Sequence, residues 1–263
     1  MTDLRQPSQK SKLPKSELFD QVAQYAAESL TKRTKRYLAA RGITSESIRR
    51  WQLGYFPRDM LSLFGKINPV LLREHGLVYS AQTGPLQRRI TFPIRNQRKE
   101  VVAIAGRPPI TEDERRSIGI EPKYWHNAFK KGKVLYGLHI AKDFIRQQKT
   151  AIVTEGQFDV IVGHQMGIKN LVCPCGTALT EHHLLLLARY AQRILVVFDG
   201  DDAGHKVAEK IREQQHKGLD IRIIPLPRGY DLDLYLRTFG AESFHQLISH
   251  TDFADHIMNK LKH

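Results

Sequence analysis

The amino-acid sequence predicts an α/β protein with two unlike parts, a basic mixed α+β half and a largely parallel sheet that ends in helices. Three observations lead there. From Leu138 onward, short apolar runs alternate with segments of helical length, the pattern of crossover units in a parallel sheet. Before that, the β-rich runs 89–94 (RITFPI) and 101–105 (VVAIA) are joined by polar residues, the pattern of an antiparallel hairpin. Charge divides between the same two parts: residues 1–149 hold 29 basic and 13 acidic side chains, a net of +16, whereas residues 150–263 hold 12 and 14, a net of −2.

Taken in order, residues 1–16 read as a flexible basic tail containing Pro7 and Pro14. Apolar spacing at Leu18, Val22, Tyr25 and Ala26 predicts a first helix, and a second runs from about Thr31 to a stop at Gly42. Thr44 caps a short third helix through Ile48 to Trp51, with Trp51 read as core. Helical signals recur at 61–64 and 70–75. After the hairpin, residues 107–133 are rich in Pro, Gly and charge and read as loop with one short strand. A helix from Leu138 to Gln148 then leads into the buried strand 151–154. Helices follow at 160–166, at 184–190 (capped by Thr180) and at 203–216. Strands follow at 171–173, 194–198 and 221–224. The predicted divisions are the tail 1–16, a basic subdomain 17–149, a sheet domain 150–230 and a helical end 231–263.

Several classes are excluded. At 263 residues the chain can bury a core without disulfides or a structural metal. No apolar run approaches the roughly 18 residues needed to cross a bilayer. The polar N-terminus MTDLRQPSQKSKLPKS is no secretory signal, and two cysteines make no disulfide framework, so a cytoplasmic protein with no membrane partner is expected. Cys173 and Cys175 with His182 and His183 lack the spaced pairs of a structural zinc motif, so no zinc is expected. No GxGxxG string is present, which argues against a dinucleotide cofactor.

The acids carry more information. Glu155 directly follows the strand AIVT, with Asp159 four residues on; Asp199 and Asp201 follow ILVVF; Asp231 and Asp233 lie past the last strand. Ligands of a parallel sheet sit at the carboxyl ends of its strands. Carboxylates gathered there repel one another unless a cation intervenes, and hard oxygen donors suit Mg2+ or Mn2+. Each acid taken singly also fits a helix cap or turn residue. Asp202 reads best as a cap, and Asp159 fits either role.

The strings EGQFD, CGTALT and VVFDGDDAGHKVAEK resemble the Toprim core of bacterial DnaG-type primases. LAARGI, RITFPI, the hairpin ending AGR, PKY and KKGKVLYGL resemble that family's RNA-polymerase domain in the same order, and DLDLYLRTFGAESFHQLI resembles its acidic string and following helices. The likeness covers about residues 30–250. It implies a Toprim-like parallel sheet, with Glu155, Asp199 and Asp201 as catalytic and metal acids. Asp159, Asp231 and Asp233 become supporting metal-site acids. It assigns Arg41, Arg89, Arg107, Lys123, Tyr124, Asn127 and Lys131 to nucleotide or template binding. Four departures stand out. The segment between the Lys-Tyr string and Lys131 is shorter than usual. Lys-Tyr-x-Asn is here Lys-Tyr-Trp-His-Asn, so either His126 or Asn127 fills the Asn role. Gln87 stands where an Arg is usual, next to Arg88. Asp-Leu-Asp replaces Asp-Pro-Asp.

The function implied is synthesis of short RNA primers on single-stranded DNA by metal-assisted nucleotidyl transfer. A Toprim-type metal-dependent nuclease and a non-catalytic single-strand-binding replisome accessory are the alternatives. Expected partners are the DNA template, ribonucleoside triphosphates, and a replicative helicase or separate initiation partner. No zinc-binding or helicase-binding module is recognisable in the sequence, which suggests a compact mobile-element or phage primase. Lys32-Arg33 and Lys35-Arg36 read equally as a solvated face or part of a polyanion track. Tyr124 and Trp125 among Lys123, Lys130, Lys131 and Lys133 offer a stacking surface beside cations.

Overall fold

The computed structural model describes residues 14–260 apart from 59–62, 64, 81–82, 121, 177 and 199–218, with side chains to residue 251. The predicted helix 203–216 and most of 61–64 lie outside the described residues. Helix α1 (Lys15–Glu28) buries Leu18, Phe19, Val22 and Ala26 on one face. Helix α2 (Lys32–Ala40) is capped by Thr31, and α3 (Ser45–Arg50) by Thr44, whose hydroxyl accepts the Ser47 N–H at 3.1 Å. Helix α4 (Pro69–Glu74) begins at Asn68.

The hairpin forms as read. Strands β2 (Ile90–Arg95) and β3 (Val101–Arg107) pair antiparallel, flanked by the short β1 (Gly54–Tyr55) and β4 (Trp125–His126) in the order β1-β2-β3-β4. The sequence gives no strand signal at β1, because its two residues pair only through contact with β2. Gly54 is required there: a Cβ would stand 2.5 Å from the Ala26 backbone of α1. The segment expected to be loop also contains a helix, α5 (Glu112–Ser117). Its start is a reciprocal capping box between Thr111 and Glu114, a local signal that the surrounding Pro and Gly obscured.

Beyond α6 (Leu138–Gln148) comes the second sheet, all parallel, in the order β6-β5-β7-β8. Its strands are β5 (Thr150–Val153), β6 (Leu171–Val172), β7 (Arg193–Phe198) and β8 (Asp220–Pro225). Helices α7 (Gln157–Gln165) and α8 (Glu181–Leu187) follow β5 and β6. The last helix, α9 (Leu232–Lys260), is interrupted at Gly240. One apolar cluster joins Leu38, Trp51 and Phe92 of the basic half to Ile152, Phe158, Val197 and Phe244 of the second. Trp51 is core, stacked on Tyr136 at 5.2 Å between centroids. No described helix is long and apolar enough to cross a membrane.

Candidate active site

The carboxyl edge of the parallel sheet is where the two halves meet. β5 ends at Val153, and Thr154 and Glu155 follow. Glu155 is exposed. The turn at Gly156 starts α7, and Asp159 sits in its first turn. Asp159 is buried, and both carboxylate oxygens are engaged: Oδ2 accepts the Thr154 hydroxyl at 3.0 Å and the Gly156 N–H at 2.8 Å, and Oδ1 accepts the Asp233 N–H at 3.1 Å. Burial, followed by the neighbouring Asp231, pushes its pKa up to about 7.

Asp231 caps α9 by accepting the Leu234 N–H at 2.7 Å. Asp233, only 1% exposed, is ion-paired through one oxygen to Arg41 and through the other to Arg237 at 2.8 Å. The structure therefore brings Asp159, Asp231 and Asp233 together, but it engages them with helix N-termini and arginines. Asp199 and Asp201 follow directly on the end of β7 and lie outside the described residues. Among the described residues, no group of three or more His, Cys, Asp or Glu is arranged to hold an ion.

The basic half contributes cations to the same edge. The guanidiniums of Arg41 and Arg107 lie 4.6 and 5.3 Å from the ring centroid of Phe158, between Gln157 and Asp159 on α7. Arg107 is buried at the end of β3; it donates to the Tyr124 hydroxyl at 3.1 Å and lies over that ring at 5.3 Å. Burial pushes the Tyr124 phenol up to about 12 against the pull of Arg107. Phe158 was not singled out from sequence: a Phe in the first turn of a buried helix reads as plain core. Arg237 was missed as well, and its four-residue spacing from Asp233 is the signal that could have found it.

Of the other basic-half residues, Arg89 is half-buried, with a guanidinium nitrogen 3.3 Å from the Pro122 carbonyl, and Lys123 pairs loosely with Glu112 at 3.8 Å. Asn127 is buried in the first sheet, with Oδ1 accepting the Ile104 N–H at 2.7 Å. Its amide nitrogen has no hydrogen-bond partner among the described residues. His126 instead lies against Tyr124, 6.4 Å between centroids, and burial followed by Lys131 lowers its pKa to about 4. Lys131 opens a short 3-10 turn, Lys131–Lys133. Lys32, Arg33, Lys35 and Arg36 are all exposed on α2. Cys173 and Cys175 are buried free thiols whose pKa values burial raises, that of Cys175 to about 12.

Comparison with known proteins places these features. The family described as "DNA primase catalytic core, N-terminal domain" matches residues 22–142, and "Toprim-like" matches residues 152–236. The chain is 32% identical over 249 residues to the DNA primase of Aquifex aeolicus (88% of this chain, 48% of that protein). It is 34% identical over 230 residues to that of Enterococcus faecalis (81% of this chain, 36% of that protein). It thus spans about half or less of the length of these relatives. A DNA primase domain from Pseudomonas aeruginosa superposes with a TM-score of 0.79 at 31% identity, covering 90% of this chain and 79% of that one. A DnaG primase catalytic domain solved bound to single-stranded DNA gives 0.78 at 29%, covering 90% and 80%. These matches, over most of the chain and at the level of the fold, show that the chain belongs to the DnaG-type primase catalytic-core family.

Proposed function

We propose that this chain synthesises short RNA primers on single-stranded DNA. The observation that carries the reading is the seating of Arg41 and Arg107 on Phe158, which aims the basic half's cations at the acidic edge of the parallel sheet. A nucleotidyl transferase needs that pairing of charges: acids for a divalent ion, cations for a triphosphate and a template.

The donor set fits such an ion. Its oxygens are hard, Glu155 is exposed at the strand end, and Asp159 has a pKa raised by burial and its acidic neighbours, a state that a cation would reverse. Glu155 with Asp199 and Asp201 would hold Mg2+ or Mn2+, which neutralises charge on the reacting phosphates and orients the in-line displacement. Asp159, Asp231 and Asp233 would support them by fixing the starts of α7 and α9. Arg107, Lys123, Tyr124 and Lys131 would hold triphosphate or template phosphates, and the buried nitrogens of His126 and Asn127, without partners among the described residues, leave two polar contacts for a ligand. Template DNA would cross the basic half, largely through its backbone; that a relative's catalytic domain was solved bound to single-stranded DNA supports a DNA partner. The same reading makes a replicative helicase or an initiation partner a natural associate.

The test is incorporation of labelled ribonucleotides on a single-stranded template, with recovery of intact template measured in parallel. Primers of discrete length support the reading. Template cleavage without incorporation would favour the nuclease alternative, and tight binding with neither would favour the accessory role.

A further inference from the structure

Helix α8 starts with an unusual cap. Thr180 Oγ1 accepts the His183 N–H at 3.2 Å, and His183 Nδ1 accepts the Thr180 N–H at 3.2 Å, a capping box with histidine where Glu or Gln is customary. Both side chains also reach out of the helix. The Thr180 hydroxyl donates to the Gly132 carbonyl at 2.8 Å, and His183 Nε2, 3.0 Å from the Lys131 carbonyl, donates to it. With Nδ1 accepting and Nε2 donating, the fully buried ring is the neutral Nε2–H tautomer, and burial holds its pKa low. Two consecutive carbonyls of the Lys131–Lys133 turn are thus fastened to one helix end. The turn lies close against it: a Cβ on Gly132 would stand 3.3 Å from Thr180 Cγ2.

We propose that Thr180 and His183 are positioning residues that hold the Lys131 ammonium in its place at the nucleotide and template site. The inference rests on the primer-synthesis reading above. The chemistry explains why histidine stands there. Glutamate would complete the cap equally well, but it would turn a carboxylate toward the Lys131 carbonyl; His and Gln can accept from the cap and donate to the turn at once. A lysine on a free loop searches many positions, whereas one on a fastened backbone is pre-oriented for phosphate.

The experiment is a double-mutant cycle on the full chain, following ribonucleotide incorporation and, separately, affinity for fluorescent single-stranded DNA, with thermal unfolding of each variant. We expect His183→Ala to remain folded and to lose about tenfold in kcat/KM, mainly through KM. His183→Gln should lie near wild type, and His183→Ala should cost nothing further in a Lys131→Ala background. A folded His183→Ala within twofold of wild type in both assays, or losses that multiply with Lys131→Ala, would overturn the proposal. So would a Lys131→Ala without effect in an active protein. If His183→Ala fails to fold, Thr180→Val, which removes the Gly132 bond, takes its place in the cycle under the same criteria. If wild-type protein makes no primers, the primer reading fails by itself, and the DNA-affinity cycle still decides whether the clamp acts through Lys131.

Discussion

The carboxylate of Asp159 accepts the backbone N–H of Asp233 at 3.1 Å, across 74 residues of sequence. One buried acid thereby serves the first turn of α7 directly and steadies that of α9. The positive ends of both helix dipoles converge on it.

The Asp159 pKa of about 7 lies above its ordinary 3.8, so the folded state holds a proton that the unfolded chain has lost between these values. Its contribution to stability must fall as pH rises from about 4 to about 7. Urea unfolding across this range should show that slope, and added Mg2+ should flatten it if the ion favours the ionised cluster. Asp159→Asn should remove the slope.

Glu112 has the opposite sign. The Arg115 guanidinium, 2.8 Å away, holds it down to about 2, with Lys123 and Arg116 adding to the effect. The stability it contributes is present above the unfolded value of 4.5 and lost as pH falls toward about 2. Glu112→Gln should lower Tm at pH 7 and leave it little changed at pH 2.

Asp199→Asn and Asp201→Asn should each abolish primer synthesis in Mg2+ and in Mn2+ while leaving unfolding cooperative, since removing charge from a crowded acidic edge does not weaken an apoprotein. Incorporation and thermal melts, run side by side, check this; wild-type rates in both variants would remove these acids from the site.

Phe158→Ala should do two kinds of damage. Loss of a buried ring costs about 3–5 kcal/mol, and Arg41 and Arg107 lose their common platform. Phe158→Leu separates the effects: most of the stability should return in denaturant unfolding, whereas nucleotide affinity should stay reduced because the π face is gone.

Single-stranded DNA affinity should fall with salt by about 0.7 log units per phosphate contact for each log unit of salt. Charge reversal at the exposed Lys32, Arg33, Lys35 and Arg36 should flatten the slope if α2 lies on the track. A salt-insensitive wild type would dismiss electrostatic binding altogether.

Much of this was legible because the informative residues are local. The hairpin, the four parallel strands and the caps at Thr44 and Thr180 follow from spacing and side-chain chemistry within a few residues. The acids were legible because each directly follows an apolar run or closes its motif. What escaped depends on distant partners. β1 exists only because β2 lies beside it, Phe158 matters through Arg41 at the end of α2 and Arg107 at the end of β3, and Asn127 is buried with its oxygen bonded to the Ile104 N–H, a contact across 23 residues. Asp159 and Asp233 were recognised as a group, but not the pairing of Asp233 with Arg41, because no sequence spacing encodes a contact across 192 residues; Thr154 and Arg237 lie five and four residues from their acids and were within reach of the sequence.

The apolar cluster that runs from Leu38 and Phe92 to Phe198's strand and Phe244 has a practical corollary for anyone dissecting this chain. A cut between residues 149 and 150 would not release two soluble pieces. It would expose complementary greasy faces on both, Trp51 and Phe92 on one, Phe158 and Leu171 on the other. Such fragments should clump when expressed alone and recover only when produced together, as a split protein whose halves find each other through that seam.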